Sequence, residues 1–335
     1  MKNKETINRN YGLDILRILA VILVLTVHFF LNTNYYDTPS TGISMNIQSI
    51  IRNFCMSCVP LFLILTGFLN NKKEYNKSYY KGLLSIIIIW IFYSVIEFYV
   101  LGFINNKHSN FNFSTLLYNL TSFHACSYSW YIEMYLGLYL ITPVINNAYE
   151  TFNSKNKKTL VILSIIIGIL PAFINVIFKN IIHFPDYWQG LYPLTYYIIG
   201  KYIADTKPNV KKKTLLILLA FTQVFTFSFS YISDIDYISL PIFIQTILLF
   251  LLLYNVNVKK DLSKKVLKYI SSISLDIYLA SSLIDKIVYP LFSNYYHFNS
   301  IGQQRVILYA PIIIVIVFVI STIYGSIRKA LINVR

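Results

Sequence analysis

Charged residues are scarce in this sequence of 335 residues: they make up 13% of the chain, whereas 56% of it is hydrophobic. A soluble globular domain usually carries about 25% charged residues, so this composition argues against one and favours a membrane protein. Acidic residues are the rarer sign, since 14 of them stand against 29 lysines and arginines, which gives a formal net charge of +15. The basic residues lie in short runs between apolar segments and form no common patch. We therefore expect no nucleic acid as a partner.

Cysteines and short catalytic motifs are also few. The three cysteines do not make a disulfide framework, and two of them, Cys55 and Cys58, lie in an apolar run. Packing of two small residues one turn apart explains this pair better than zinc or redox chemistry, and we expect no metal. The sequence has no Walker motif, no G-x-S-x-G and no H-E-x-x-H, so ATP hydrolysis and an appended hydrolase domain are unsupported.

Apolar runs of about 20 residues, the length that spans a bilayer, are abundant instead. They predict an all-α fold, a polytopic membrane helix bundle with about ten transmembrane helices, as a single domain over residues 1–335. The lipid bilayer is then the first partner of the chain. The predicted spans are residues 12–31, 45–69, 82–104, 129–148, 159–178, 190–205, 214–232, 238–256, 269–289 and 304–327.

Lysine and arginine are distributed unevenly over the loops between these runs. The two termini and every second loop hold 23 of the 29 lysines and arginines, whereas the opposite loops hold only Lys107 and Lys179. By the positive-inside rule both termini are cytoplasmic, which an even number of helices satisfies. The predicted location is a bacterial cell membrane, which the protein crosses several times.

The first predicted helix carries three ionisable side chains, Asp14, Arg17 and His28. A charge at membrane depth costs at least about 2.5 kcal/mol, so it requires a partner or a function. Arg17 and His28 are eleven residues apart, about three turns, which puts both on one face roughly 16 Å apart along the axis. Asp14 lies one turn before Arg17 and is expected to pair with it. One helix thus carries a polar column, with His28 at its outer end.

Further polar side chains fall at the outer level of the predicted bundle and are candidates for binding a second substrate. These are Arg52, Glu97, His124, Trp130 and Glu133. Glu97 and Glu133 could equally serve as hydrogen-bonding groups between helices, and Arg52 could neutralise either one. Three other charged residues, Asp276, Asp285 and Lys286, are interpreted as structural contacts between helices or at the membrane interface.

Several stretches resemble acyltransferase family 3, a family of bacterial integral-membrane acyltransferases. The step from Arg17 to His28 is similar to the family signature, an arginine and a histidine separated by ten residues. VPLFLILTGFL at 59–69 resembles the V-P-x-F-F-x-x-S-G-[YF]-L block, and SWYIEMYLGLYLITPVI at 129–145 resembles the L-W-F-L…G-L-Y-L-x-x-P segment. The chain departs from the family at four positions where members often have arginine, histidine, glutamate and histidine. Those positions hold Met56, Tyr128, Tyr135 and Ser281.

The resemblance implies transfer of an acetyl or other short acyl group from cytoplasmic acyl-CoA, the donor substrate. The acceptor would be a hydroxyl of an extracytoplasmic or polyprenyl-linked glycan of the cell envelope. His28 is then the predicted general base or transient acyl carrier, because neutral imidazole can do either. Arg17 would recognise the phosphates or the acyl carbonyl of the donor, and Asp14 would orient Arg17.

A different class of function is compatible with the same residues. Intramembrane acids, arginine and histidine also serve proton-coupled transporters, so the alternative is such a transporter or a polysaccharide exporter. Carriers commonly have repeated halves and interrupted helices, and the sequence shows neither clearly. The sequence leaves open whether copies of the chain form a homo-oligomer.

Overall fold

The computed structural model describes residues 9–104, 112–179 and 181–332, and helices are the only regular secondary structure in that part of the chain. Lys107, used above to predict the orientation, lies outside the described residues. The described α-helices are α1 (Tyr11–Leu31), α2 (Gly42–Cys55), α3 (Cys58–Leu69), α4 (Lys77–Ile104), α5 (Phe113–Thr121), α6 (Trp130–Thr151), α7 (Ser154–Gly168), α8 (Leu170–Ile177), α9 (Asp186–Gln189), α10 (Tyr192–Thr206), α11 (Lys212–Phe229), α12 (Leu240–Leu253), α13 (Asp261–Ser272), α14 (Ser274–Tyr296), α15 (Phe298–Ile301), α16 (Gln303–Val306) and α17 (Ala310–Leu331). A short 3₁₀ turn, Ile307–Tyr309, joins α16 to α17.

Local sequence signals explain where several helices begin. The side chain of Asn10 accepts a hydrogen bond from the backbone N–H of Gly12 at 3.0 Å and so caps α1. Helices α8, α10, α12 and α17 have proline in their first turn, where its missing N–H costs nothing.

Fewer helices can cross a membrane than the ten predicted from the sequence. Within the described residues, five are long and apolar enough, or six if α7 and α8, which meet at a bend of 43°, form one span. Each predicted run does contain a helix. However, α10 and α12 have only 15 and 14 residues, and α6 and α14 are long enough but too polar. The five spans are Tyr11–Leu31, Gly42–Leu69, Lys77–Ile104, Lys212–Phe229 and Gln303–Leu331. The second combines α2 with α3, and the last combines α16, the 3₁₀ turn and α17.

Helix α1 lies inside the bundle. Of its most apolar 18-residue window, 61% is buried within the protein, compared with 22% for α4 and for α11. Its neighbours are α2, α3, α12, α13, α14 and α17. Because protein surrounds α1, its polar side chains face other helices, which makes them available for a site.

Helices α3 and α10 approach each other very closely because each has a glycine at the crossing. A Cβ atom at Gly67 would collide with the backbone of Tyr197, and one at Gly200 would collide with the backbone of Ile64. The buried Lys201 strengthens this contact, since its Nζ donates to the backbone oxygen of Asn71 at 2.5 Å. This packing fixes the C-terminal end of α3, which forms one wall of the cavity described below.

Candidate active site around helix α1

His28 and Asp285 face each other between α1 and α14. His28 Nδ1 lies 3.4 Å from Asp285 Oδ2, and the two side chains are only 7% and 1% exposed. The contact is within ion-pair distance but does not have hydrogen-bond geometry. His28 Nδ1 and Asp285 Oδ1 have no hydrogen-bond partner among the described residues. A carboxylate beside Nδ1 favours the tautomer with its proton on that nitrogen, which leaves Nε2 free to accept a proton.

Tyr128, which lies just before α6, holds this pair in place. Its ring stacks on the His28 ring with 3.7 Å between centroids, and its hydroxyl donates to Asp285 Oδ2 at 2.8 Å. Asn32 Nδ2 donates to the Tyr128 hydroxyl at 3.2 Å, and the Tyr278 hydroxyl donates to the Tyr128 backbone oxygen at 2.6 Å. The imidazole is therefore fixed by a ring on one face and an acid at its edge.

A second ion pair, between a buried carboxylate and a partly exposed lysine, lies beside the first. Glu97 Oε1, on α4, accepts from Lys286 Nζ at 2.8 Å, from Ser282 Oγ at 2.9 Å and from the backbone N–H of Ser127 at 3.3 Å. Lys286 Nζ also donates to Ser127 Oγ. Since Ser127 and Tyr128 are adjacent, this short segment joins the Glu97–Lys286 pair to the site of His28.

Arg17 lines a cavity of about 230 Å³ at the opposite end of α1. Its Nη1 donates to Ser271 Oγ on α13 at 3.0 Å, which is its single hydrogen bond within the described part of the chain. A guanidinium has five N–H donors, so most of those of Arg17 remain available to a ligand. The half-buried charge has no carboxylate partner among the described residues.

The predicted pairing of Asp14 with Arg17 is not what the structure has. Asp14 accepts two hydrogen bonds of 2.7 Å, from Nε and Nη2 of Arg9, and is buried. This hydrogen bonding raises the pKa of Arg9, which lies before α1. The spacing rule within a helix missed this partner because Arg9 precedes the helix and folds back onto it. As a result, Arg17 is left without an acid.

The cavity extends from Arg17 toward the site of His28. Its wall includes Tyr135, Thr66 and Asn70, and on the far side Tyr131 and Tyr278. The remaining lining residues are largely apolar: Val24, Val59, Phe62, Leu65, Leu69, Ile86, Ile132, Ser274 and Leu275.

Tyr278 connects the cavity to the histidine. It lines the cavity, its ring centroid is 6.2 Å from that of His28, and its hydroxyl binds the segment that carries Tyr128. His28 itself is not part of the cavity wall. Tyr278 is therefore shared by the cavity wall and the surroundings of His28.

Of the five residues predicted to bind a second substrate, Glu97 alone is in this cluster. Arg52 neutralises neither glutamate: its Nη1 donates to the backbone oxygen of Ile235 at 2.5 Å and its Nε to the Tyr36 hydroxyl at 3.2 Å. Glu133 is exposed, and its carboxylate makes no hydrogen bond or ion pair with the described residues.

The remaining two are also peripheral. His124 is exposed, and its Nδ1 lies 3.0 Å from Ser122 Oγ. Trp130 is 40% exposed and stacks on Tyr237, with 5.7 Å between ring centroids. These two residues and Glu133 lie near the N-terminal end of α6 and do not contact His28.

The sequence did not predict Asp285 and Tyr128 as parts of the site. Asp285 lies late in the predicted span 269–289, at the same outer level as His28, and this position is a signal that could have found it. Three of the positions that depart from the family are close to the site. Tyr128 stacks on His28, Tyr135 lines the cavity, and Ser281 donates to the backbone oxygen of Tyr278 at 2.7 Å.

Metal chemistry has no obvious centre here. Within residues 9–104, 112–179 and 181–332 there is no group of three or more His, Cys, Asp and Glu side chains that could hold an ion. Cys55, Cys58 and Cys126 are buried free thiols.

One comparison with known proteins gives a result that covers nearly the whole chain. A family model described as an acyltransferase domain matches residues 10–327, which include Arg17, His28 and Asp285. No curated protein and no solved structure gives a significant match. With its several apolar helices the chain has the character of a multi-pass membrane protein. It belongs to acyltransferase family 3, the family of membrane acyltransferases that this model represents.

Proposed function

We propose that the protein transfers an acetyl or other short acyl group from acyl-CoA to a hydroxyl group of a cell-envelope glycan. The observation that carries this proposal is the position of Arg17 and His28 on one buried helix, with Arg17 in the wall of a cavity that also includes Tyr278, a neighbour of His28. This arrangement supports a path with a cationic group for the donor at one end and a base for the acceptor at the other. The glycan would be extracytoplasmic or linked to a polyprenyl lipid.

The orientation in the membrane gives the path a direction. The lysine-rich loops favour a cytoplasmic N-terminus, so the Arg17 end of α1 would face the compartment that contains acyl-CoA. Eleven residues of helix separate Arg17 and His28 by roughly 16 Å. Arg17 therefore holds the donor away from its thioester, through a phosphate or an amide of the pantetheine arm, while the thioester reaches the site of His28.

The chemistry at His28 follows from its surroundings. His28 Nε2 accepts the proton of the acceptor hydroxyl while that oxygen attacks the thioester carbonyl. The carbon–sulfur bond then breaks, and the CoA thiolate leaves with the proton. Asp285 stabilises the imidazolium formed in between, because its buried carboxylate lies 3.4 Å from Nδ1. General base catalysis of this kind contributes about 10²–10⁴-fold in rate.

Acyl transfer from labelled acetyl-CoA, measured in membranes that contain the variant proteins, tests the proposal. His28→Ala should lower transfer by about 10²-fold or more. Arg17→Ala should mainly raise KM for the donor, and Arg17→Lys should restore it only in part, because lysine lacks the planar donor array. His124→Ala is the matched control, since it removes an exposed histidine outside the cluster. Full activity in folded His28→Ala protein would refute the mechanism.

One observation favours the alternative function, a carrier or exporter. The bend of 43° between α7 and α8 is an interrupted helix of the kind that transporters use. Purified protein in vesicles separates the two functions. Passage of a labelled glycan across the membrane without acyl transfer would favour the carrier, whereas label from acetyl-CoA appearing on the glycan favours the acyltransferase.

A further inference from the structure

A basic groove lies at the end of the bundle where α1 begins. It has a volume of about 290 Å³ and is formed by the approach to α1, by α13 and by the end of α17. Four cationic side chains and two hydroxyl groups line it: Arg9, Lys265, Lys268, Lys329, Tyr269 and Ser272. The groove is separate from the cavity that Arg17 lines.

Little within the protein neutralises this charge. Asp14 is bound to Arg9, and it is the single acid in ion-pair contact with the lining side chains within the described residues. Lys329 Nζ donates to Ser272 Oγ at 2.6 Å and lies 5.2 Å from the centre of the Tyr269 ring. Four cations and one acid leave the groove with a net charge of +3. Like charges gathered in one cleft repel each other and attract an anion.

Helix α13 also carries a lysine that is paired with an acid, which allows a comparison with the lysines of the groove. Lys264, on α13, donates to Asp261 at 3.0 Å and does not line the groove. Lys265 and Lys268 are exposed, and neither forms an ion pair with the described residues. Their positions three residues apart bring them to one side of α13. Two uncompensated lysines that share a side of a helix are suited to bind a multiply charged anion.

Two adjacent serines connect this groove to the cavity. Ser272 lines the groove and binds Lys329, whereas Ser271, the residue before it, accepts the hydrogen bond from Arg17. A ligand held in the groove would therefore need to pass only the end of α13 to reach Arg17. Beyond Arg17, the cavity continues toward Tyr278 and His28.

We propose that the basic groove binds the phosphate groups of the acyl donor, those of the nucleotide part of CoA. This inference rests on the proposed function, in which acyl-CoA is the donor. The phosphates bind Lys265, Lys268 and Lys329, the pantetheine arm runs past Ser271 and Arg17, and the thioester lies near Tyr278. An anionic lipid headgroup offers the same phosphate chemistry, and the exposed Leu262 and Val266 of α13 could contact a bilayer, so the test must separate these two sources.

The experiment compares three donors that carry the same thioester: acetyl-CoA, acetyl-dephospho-CoA and acetyl-pantetheine. The full-length protein is held in nanodiscs of phosphatidylcholine, so no anionic lipid is present. Lys265→Ala/Lys268→Ala should raise KM for acetyl-CoA by about tenfold or more, which corresponds to about 1.4 kcal/mol, with kcat little changed. KM for acetyl-pantetheine should stay at the wild-type value. Lys264→Ala, on the same helix, should behave as wild type with all three donors.

Direct binding completes the test. Adenosine 3′,5′-bisphosphate should bind the wild type and compete with acetyl-CoA, and the double variant should lose this binding. An unchanged KM for acetyl-CoA, together with loss of phosphatidylglycerol binding in the variant, would assign the groove to lipid and overturn the proposal. Equal behaviour of the double variant and the wild type with every probe would also overturn the proposal. If the wild type transferred no acyl group, the proposed function would fail, and the binding measurements would still decide what the groove binds.

Discussion

The ring of Tyr128 lies 3.7 Å from the ring of His28, centroid to centroid, in a stacked arrangement. The same tyrosine donates its hydroxyl to Asp285 at 2.8 Å, so one side chain supports both the base and the acid beside it. Members of the family often have histidine at this position. We infer that Tyr128 is a positioning residue, one that acts through His28 and Asp285.

Tyr128→Phe and Tyr128→Ala separate the two contacts of this side chain. Tyr128→Phe keeps the stacked ring but removes the hydrogen bond accepted from Asn32 and the one donated to Asp285. A hydrogen bond to a charged group is worth about 1.5–3 kcal/mol, so kcat should fall by about tenfold or more. Tyr128→Ala removes the stacking as well and should lower kcat further. Donor KM should change little in both variants, because Arg17 and its cavity are intact. A pair of variants with identical rates would show that the ring has no share in positioning His28.

Asp285 should matter because it lies at the nitrogen of His28 opposite to the one proposed to accept the proton. Asp285→Asn is similar in shape but removes the charge that stabilises the imidazolium. We expect kcat to fall by about 10²-fold or more, as when the acid of a catalytic triad is neutralised. Asp285→Glu should recover part of this loss. Asp205→Asn, a change at a half-exposed acid bound to Lys157, is the control and should leave transfer unchanged.

The result that contradicts this prediction is specific. If Asp285→Asn retained full kcat with a folded protein, Asp285 would be a structural contact, as the sequence first suggested. A pH–rate profile adds an independent readout. Loss of the acid should change the profile of kcat, whereas a purely structural role would change the stability alone.

The Glu97–Lys286 pair tests whether a predicted substrate-binding acid has that role. Lys286→Met removes the partly exposed cation from the buried carboxylate of Glu97, which should destabilise the protein by about 1.5–3 kcal/mol, the worth of a hydrogen bond to a charged group. Glu97→Gln/Lys286→Met removes both charges and should recover most of the thermal stability. Glu97 Oε2 is buried without a hydrogen-bond partner among the described residues, and we propose that it binds an acceptor hydroxyl. KM for the acceptor should therefore remain raised in the double variant.

Thermal unfolding in detergent and acceptor titration give the two readouts for this pair. Glu97→Gln, Lys286→Met and the double variant form a cycle that isolates the coupling between the two residues. Recovery of both stability and acceptor KM in the double variant would show that Glu97 is only a structural partner of Lys286.

The sequence could predict features that depend on local order along the chain. The predicted span 12–31 agrees with α1 at Tyr11–Leu31, and the all-helical fold and family follow from periodicity and short motifs. The pairing of His28 with Asp285 could not be predicted in this way, because 257 residues separate them and tertiary packing alone brings them together. The number of spanning helices was overestimated because apolar content does not reveal that α10 and α12 are short.

Arg328 and Asp276 provide a last prediction, about stability rather than catalysis. Arg328 donates from Nε and Nη2 to both oxygens of Asp276, each at 2.6 Å, and both side chains are almost fully buried. The Tyr93 hydroxyl also donates to Asp276, at 3.1 Å. Removing one partner leaves a buried charge, so Arg328→Met should cost about 3–5 kcal/mol and lower the Tm measured in detergent.

The neighbouring Lys329 supplies the matched control for this pair. Its Nζ binds Ser272 at the protein surface, so Lys329→Met should change Tm far less than Arg328→Met. Asp276→Asn/Arg328→Met should regain much of the lost stability, because no uncompensated charge remains in the interior. Since the pair joins α14 to α17 away from His28, folded Arg328→Met protein should retain kcat. A Tm unchanged by Arg328→Met would mean that this ion pair does not hold the two helices together.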